Sequence, residues 1–393
     1  MNNIELKYLY FLPEKGNTFA QLLADCFIQL TEYELYKNNF CKKIVRLTIF
    51  VAADTCEEYK ALKIIVDDYL HNFFETVPPT AIVAQSPENA TVSLEIQYLE
   101  GIICNNIRLK KQNDLTWVVY EEPDFKMLFA SGLSDTISTN NILEKCTRVF
   151  EKLNTILQIE KMKFSDIVRQ WNYIEQITAA HTHNHIMSQH YQIFNDVRSK
   201  YYRQADFATG YPAATGIGVQ SGGIIVDFIA FQTNRNESII PLKSVLQLDA
   251  HRYTPKVLAD NFTNCDLCRT TPKFERAKLV RIGTGNLFFV SGTAAIKGQD
   301  SLTFQTVEEQ THTTIDSILN LLSVENLLKH KIPCSNQLLF KYLRVYVKYG
   351  ADIQRVKAIC EARFLNISLI YTVADVCRPE LLVEIEGEAF MQD

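Results

Sequence analysis

Residues 371–389 read YTVADVCRPELLVEIEGEA, and the fold turns on the seven residues LLVEIEG at 381–387. Apolar and acidic positions alternate there at the period of a strand. That period puts Leu382, Glu384 and Glu386 on one face and Leu381, Val383 and Ile385 on the other, toward a core. Glutamates on an otherwise buried strand are costly unless they are paired or used. The same pattern also suits two solvated glutamates on an amphipathic last strand. Just upstream, Cys377 and Arg378 precede Pro379, so a thiol and a guanidinium come close to these acids at the edge of a sheet.

Two earlier stretches are versions of this strand, VSLEIQY at 92–98 and IIVDFIA at 224–230, and in that alignment Glu95, Asp227 and Glu384 occupy one place. Each closes a similar run of elements. The first hundred residues predict a strand over 6–11, a helix over 18–35, a strand over 44–52 with Arg46 inside it, a helix over 57–74, and strands over 80–84 and 91–98. The middle predicts a hairpin over 106–120, a strand over 128–132, a helix over 141–160, a strand over 166–177, a helix over 188–204, and strands over 216–219 and 223–231. The last third predicts a hairpin over 277–290, a helix over 306–322, a strand over 339–348, a helix over 352–362, and strands over 366–371 and 380–388. SGLSDT at 131–136 answers SGTAAI at 291–296, and VRQWNYI at 168–174 answers YLRVYVK at 342–348.

Three copies of one β-α-β-α-β-β unit imply an α+β fold with both helices of each unit on one sheet face. Three bare sheet faces bury one another by closing about a threefold axis, sheets inward and helices outward, as a single-chain pseudo-trimer. The expected divisions are a degenerate first unit over 1–100, a second over 101–240, an irregular connection over 241–270, and a third unit over 271–393 that carries the site.

With 393 residues and 47% hydrophobic content the chain can bury several cores. Its net charge of -5 offers no basic field for nucleic acid or an anionic membrane. No run of eighteen apolar residues and no secretory leader pattern is present, so the expected setting is the cytoplasm. The ten cysteines show no spaced framework and read as free thiols.

In the third unit Ser291-Gly292-Thr293, Arg344 and ADVCRPELLVEIEG at 374–387 resemble the YjgF/RidA superfamily, whose members are homotrimers with sites at subunit interfaces. Three further elements resemble its chorismatase branch more narrowly. These are Tyr191-x-x-Phe194-Asn195-x-x-Arg198, Tyr211-Pro212-Ala213-Ala214-Thr215-Gly216-Ile217-Gly218 and Phe274-Glu275-Arg276-Ala277. The resemblance spans roughly residues 165–390 and implies hydrolysis of the enolpyruvyl ether of chorismate. The products would be pyruvate and either a hydroxybenzoate, 3-hydroxybenzoate being favoured, or a cyclohexadiene diol. It implies Glu384 as the proton donor and no metal or organic cofactor. A carboxyl of raised pKa at a buried strand position suits protonation of the methylene carbon of an enol ether.

A dicarboxylate substrate calls for guanidinium forks and phenol hydroxyls. The candidates are Arg378, Arg198, Arg276 and Arg344, with Tyr191 as a hydroxyl donor, and each arginine has a plain alternative as a pairing residue. By resemblance, Cys377 belongs to the branch that aromatises its product, where it shapes the pocket and helps handle the ring intermediate; it also suits a small buried hydrophobe. Ala294 stands near a position where that branch prefers glycine, which leaves the product open.

His181, His183, His185 and His190 are expected in a solvated loop, and Cys265 with Cys268 lacks the second pair that a structural zinc site needs. Two other functions compete. A RidA-like imine or enamine deaminase wants an arginine about fifteen residues before the strand glutamate, where this chain has Leu369. A non-catalytic small-molecule binder would use Glu384 and the arginines as a structural ion-pair network. The expected partner is a small dicarboxylate, with no nucleic acid and no membrane, and the chain acts as a monomer or simple homo-oligomer.

Overall fold

The computed structural model describes residues 4–33, 43–135, 141–183, 186–258, 270–283, 285–303, 305–334 and 337–392. Its first sheet holds β1 (Glu5–Phe11), β2 (Ile44–Val51), β3 (Thr80–Val83) and β4 (Val92–Glu100), with α1 (Phe19–Glu32) and α2 (Cys56–Phe73) as crossovers. Thr18 starts α1 through a capping box with Gln21, and Thr55 caps α2 by accepting from the Glu58 amide.

The second sheet is built from β5 (Ile107–Gln112), β6 (Leu115–Glu122), β7 (Phe125–Ser134), β8 (Ile167–Glu175), β11 (Ala213–Val219) and β12 (Ile224–Thr233). Between them run α3 (Ile142–Ile159), a small hairpin of β9 (Ala180–His183) and β10 (Ile186–Gln189), and α4 (His190–Tyr202). The third sheet holds β13 (Ile239–Leu242), β14 (Ala277–Ile282), β15 (Gly285–Ala294), β18 (Leu339–Val347), β19 (Ser368–Val373) and β20 (Val383–Gln392). Around it lie α5 (Pro255–Leu258), the short pair β16 (Ile296–Lys297) and β17 (Asp300–Ser301), α6 (Val307–Leu321), α7 (Val324–Lys329) and α8 (Ile353–Arg363).

The chain is therefore a mixed α+β protein in which one strand order occurs three times: β1-β4-β2-β3, β7-β12-β8-β11 and β15-β20-β18-β19. Within each set the last crossover joins parallel neighbours and the remaining pairs are antiparallel.

Three apolar clusters lie between a sheet and its helices, around Phe27 and Leu47, Phe150 and Phe228, and Ile318 and Ile385. A fourth joins the opposite faces of all three sheets, with Phe50 and Val83, Phe129 and Trp171, and Phe289 and Tyr346 in one body. Burial on both faces explains why β2 is closed to solvent along its whole length. Each large side chain so buried contributes roughly 1.5–3 kcal/mol.

The structure revises several sequence expectations. β13 pairs with β14, so the third sheet begins at Ile239, ahead of the expected boundary at 240. A β-hairpin, β9–β10, stands where a strand-to-helix loop is expected around His181 and His183. Strand β20 starts only at Val383, and before it Leu381 joins the central cluster while Leu382 packs on the helix side, the reverse of simple alternation. Cys265 and Cys268 lie outside the described residues.

Arginines and acids meet where the three sheets face one another. Arg46 of β2 donates to Glu95 of β4 at 2.8 Å and to Asp227 of β12 at 3.3 Å. Arg344 of β18 donates to both oxygens of Glu95 and, at 2.7 Å, to Glu386 of β20. Arg169 of β8 donates to the other oxygen of Glu386. The resulting chain runs Asp227, Arg46, Glu95, Arg344, Glu386, Arg169, links all three sheets and is closed to solvent. Trp171 lies beneath both Arg46 and Arg169, 3.9 and 4.5 Å from its ring centre.

Candidate active site

Glu384 lies on the same face of β20 as Glu386 and Glu388 but does not join this network. It lines a cavity of about 720 Å³ between the second and third sheets. That size suits a small ligand. The second sheet and its helix contribute Tyr191, Gln192, Asn195, Ala214 and Gly216 to the wall. The third contributes Arg276, Gly292, Ala294, Cys377 and Arg378, and the connecting segment adds Tyr253.

Local geometry makes the space for the acid. Ala294 faces Glu384 across the β15–β20 ladder, and a register shift falls between Val290 and Thr293. A side chain on Gly292 would meet the Glu384 carboxyl, so only glycine leaves that carboxyl its position. The Gly292 amide donates to Thr215 Oγ1 at 3.1 Å, which ties the bulged strand to β11 of the neighbouring sheet. Thr215 also accepts from Arg169 at 2.9 Å and donates to Glu386.

The electrostatics of the two glutamates differ. Burial first, and then the negative charge of Glu386, push the Glu384 carboxyl up to about 8, against weaker opposing pulls from Arg169 and Arg276. Burial would also raise Glu386, but Arg169 and Arg344 outweigh it and hold that carboxyl below its ordinary value. Glu384 is therefore biased toward its protonated form at neutral pH, and Glu386 toward its ionised form. Burial and then Glu384 push the Cys377 thiol up to about 12, so it is a neutral thiol and not a thiolate nucleophile.

Of the residues singled out from sequence, Glu384, Cys377, Arg276, Arg378 and Tyr191 line this one cavity. The Arg276 guanidinium is held by Leu248 O and, at 2.6 Å, by the Tyr253 hydroxyl. Arg378 Nη1 donates to Gln299 O and Ser301 Oγ, both at 2.9 Å, and its guanidinium lies 5.4 Å from the Tyr253 ring centre. One tyrosine and two backbone carbonyls thus brace two cations on one side of the pocket. Tyr191 stacks its ring edge on Gly216, where a Cβ would clash.

Arg344 and Arg198 do not line the cavity. Arg344 is fully buried and spent on Glu95, Glu386 and two tyrosine hydroxyls. Arg198 is buried behind the wall, where its Nη2 donates to Asn195 Oδ1, so it orients an amide that does face the cavity. Sequence reasoning missed Asn195 as a lining group, Tyr253 as the brace of both arginines, and the pair Arg169 and Glu386. A signal for that pair exists in an arginine on the second strand of each unit. Among the described residues no group of three or more histidine, cysteine or acidic side chains is placed to hold a metal. His190 instead bonds through Nδ1 to Glu175 O at 2.8 Å.

Comparison with known proteins agrees with this architecture. The model of the N-terminal part of FkbO/Hyg5-like chorismatases matches residues 105–230. The chain is 29% identical over 236 residues to a 3-hydroxybenzoate synthase of Streptomyces hygroscopicus, which covers 58% of this chain and 65% of that protein. It is 30% identical over 250 residues to a chorismatase of Streptomyces rapamycinicus, covering 61% of this chain and 67% of that one. The match thus spans just under two thirds of the first of these relatives. A crystal structure of a chorismatase shares the fold with a TM-score of 0.68 at 18% identity, over 98% of each chain.

Proposed function

The chain belongs to the chorismatase family, and from that membership we propose that it protonates and cleaves the enolpyruvyl ether of chorismate, releasing pyruvate and a hydroxybenzoate. The observation that carries this reading is a buried carboxyl, Glu384, lining one cavity with Arg276 and Arg378, where burial pushes it up to about 8.

Glu384 gives its proton to the methylene carbon of the enol ether, and the positive charge that develops on the ether carbon is an oxocarbenium. Water adds there, and the hemiketal collapses to pyruvate and the ring alcohol. The carboxylate left on Glu384 regains a proton from the adding water, which closes the cycle. A diene diol is the product if the ring keeps its water, and loss of one water gives 3-hydroxybenzoate. Cys377, a neutral thiol against the ring, shapes the second outcome. Arg276 and Arg378 hold the substrate carboxylates and Tyr191 a hydroxyl, with their geometry fixed beforehand by Tyr253 and Gly216.

The same proposal takes the chain as three RidA-like units closed into a single-chain pseudo-trimer. The repeated strand order, the shared central cluster and the arginine–acid chain support it. A cytoplasmic setting also belongs to the proposal, and the unpaired cysteines among the described residues favour it. No helix among the described residues is long and apolar enough to cross a membrane.

Incubating the protein with chorismate, following pyruvate and separating the aromatic products by chromatography tests the reading. Release of pyruvate with 3-hydroxybenzoate is expected, and no pyruvate from folded protein would overturn it.

A further inference from the structure

We propose that Glu386 is a positioning residue for the acid Glu384: it holds the Arg169 guanidinium, which would otherwise be drawn to Glu384, and so leaves that carboxyl free to keep its proton. The inference rests on the reading of Glu384 as proton donor and concerns what makes it one.

Sheet register shows the relationship. Glu95 faces Thr48, Asp227 faces Trp171 and Glu384 faces Tyr346. In each case the facing residue comes two positions after the arginine of its strand, Arg46, Arg169 or Arg344. The three acids therefore hold one place in three sheets. Two of them are claimed by arginine: Glu95 by Arg46 and Arg344, and Asp227 by Arg46. Glu384 makes no ion pair among the described residues.

The difference lies two residues further along the last strand. The first two sheets have Gln97 and Ile229 there, and the third has Glu386. That additional carboxylate takes Nη2 of Arg169 and Nη1 of Arg344, and accepts from Trp171, Tyr346 and Thr215 besides. Arg169 has little else, since its Nε and Nη1 are buried without a partner among the described residues. A buried guanidinium without its anion lowers the pKa of any carboxyl within reach. Glu386 thus acts twice, by neutralising Arg169 and Arg344 and by placing a negative charge beside Glu384.

The other groups facing Glu384 are Arg276 ahead of β14, Cys377 ahead of β20, Tyr191 on α4 and Tyr346 on β18. Positive charge acts on Glu384 from Arg169 and Arg276, and Arg276, like Arg378, lies on the cavity wall for substrate. Arg169 is the cation that must be kept from the acid.

The test is the pH dependence of pyruvate release from chorismate by the wild-type protein and by Glu386→Gln and Glu386→Asp. The wild-type rate falls as pH rises through about 8. In Glu386→Gln that fall moves at least one unit lower, so that above it the rate is about tenfold smaller at a given pH, while the rate at the acid plateau is kept. Glu386→Asp keeps the charge and stays with the wild type. A lower rate with an unmoved fall would mean a merely structural role and overturn the inference.

Should Glu386→Gln not fold, Arg169→Gln carries the test with opposite sign: the fall moves to higher pH, and an unmoved fall overturns it. Infrared titration of the Glu384 carboxyl, taken as the difference from Glu384→Gln, reads the same shift without substrate. If the protein releases no pyruvate, the functional reading fails while that titration still decides the inference.

Discussion

A Cβ placed on Gly292 would stand 2.0 Å from Oε1 of Glu384. No relaxation of a backbone-bound methyl absorbs such an overlap, so the carboxyl must turn away from its place in the cavity wall. Gly292→Ala is therefore expected to keep the fold and lose on the order of 100-fold in kcat, because a displacement of the reacting group by about 1 Å costs that much. Near wild-type kcat in this variant, measured by pyruvate release, would show that the acid does not need this position.

Arg344 is expected to matter for stability and Arg276 for substrate. Arg344→Met leaves Glu95 and Glu386 as buried carboxylates short of a partner, which costs about 3–5 kcal/mol. Urea denaturation should show the loss as a lower midpoint. Arg276→Lys loses the planar fork at the cavity wall and should raise KM for chorismate, with the denaturation midpoint little changed.

Glu388 gives a pH-dependent stability that has no part in catalysis. It lies fully buried on the same face of β20, and burial pushes its carboxyl up to about 8, against weaker lowering by Tyr8, Arg169 and Arg46. A carboxyl whose folded pKa lies above its unfolded value stabilises the fold fully below the unfolded pKa, near 4.5, and loses that contribution as pH rises through the folded value. Glu388→Gln cannot ionise. Its melting temperature relative to wild type should therefore rise between pH 5 and pH 8.5, by an amount equivalent to at least about 1 kcal/mol. A constant difference across that range would contradict the assignment.

Cys377→Ala separates the two halves of the reaction. Proton transfer by Glu384 needs no thiol, so pyruvate release should persist within a few-fold. The ratio of 3-hydroxybenzoate to diene diol should change, as read by chromatography. Loss of pyruvate release would make the thiol part of ether cleavage.

Much of the fold is legible in the sequence because alternating apolar strands and threonine-capped helices are local signals. The strand order follows once three versions of one strand are seen, in VSLEIQY, IIVDFIA and LLVEIEG. Glu384 on the last of those strands and Cys377 and Arg378 just ahead of it share one cavity with Arg276 in the structure. The roles of the strand arginines were not legible. Laying VRQWNYI against YLRVYVK matches Gln170 to Arg344, whereas the sheet register matches Arg169 to it. That slip of one residue hides the pair of Arg169 with Glu386 and leaves Arg344 looking free for substrate. Tyr253 was missed for another reason, since its role depends on two arginines distant in sequence and no local pattern marks it.

The central claim is that Glu384 protonates the enol ether carbon. The most direct measurement is chorismate turnover in D2O, with the pyruvate trapped at once by enzymatic reduction to lactate and weighed by mass spectrometry. Wild-type protein should give product with one deuterium in the methyl group, and Glu384→Gln, still folded, should give none above background. Methyl groups free of deuterium, or equal turnover by Glu384→Gln, would contradict it.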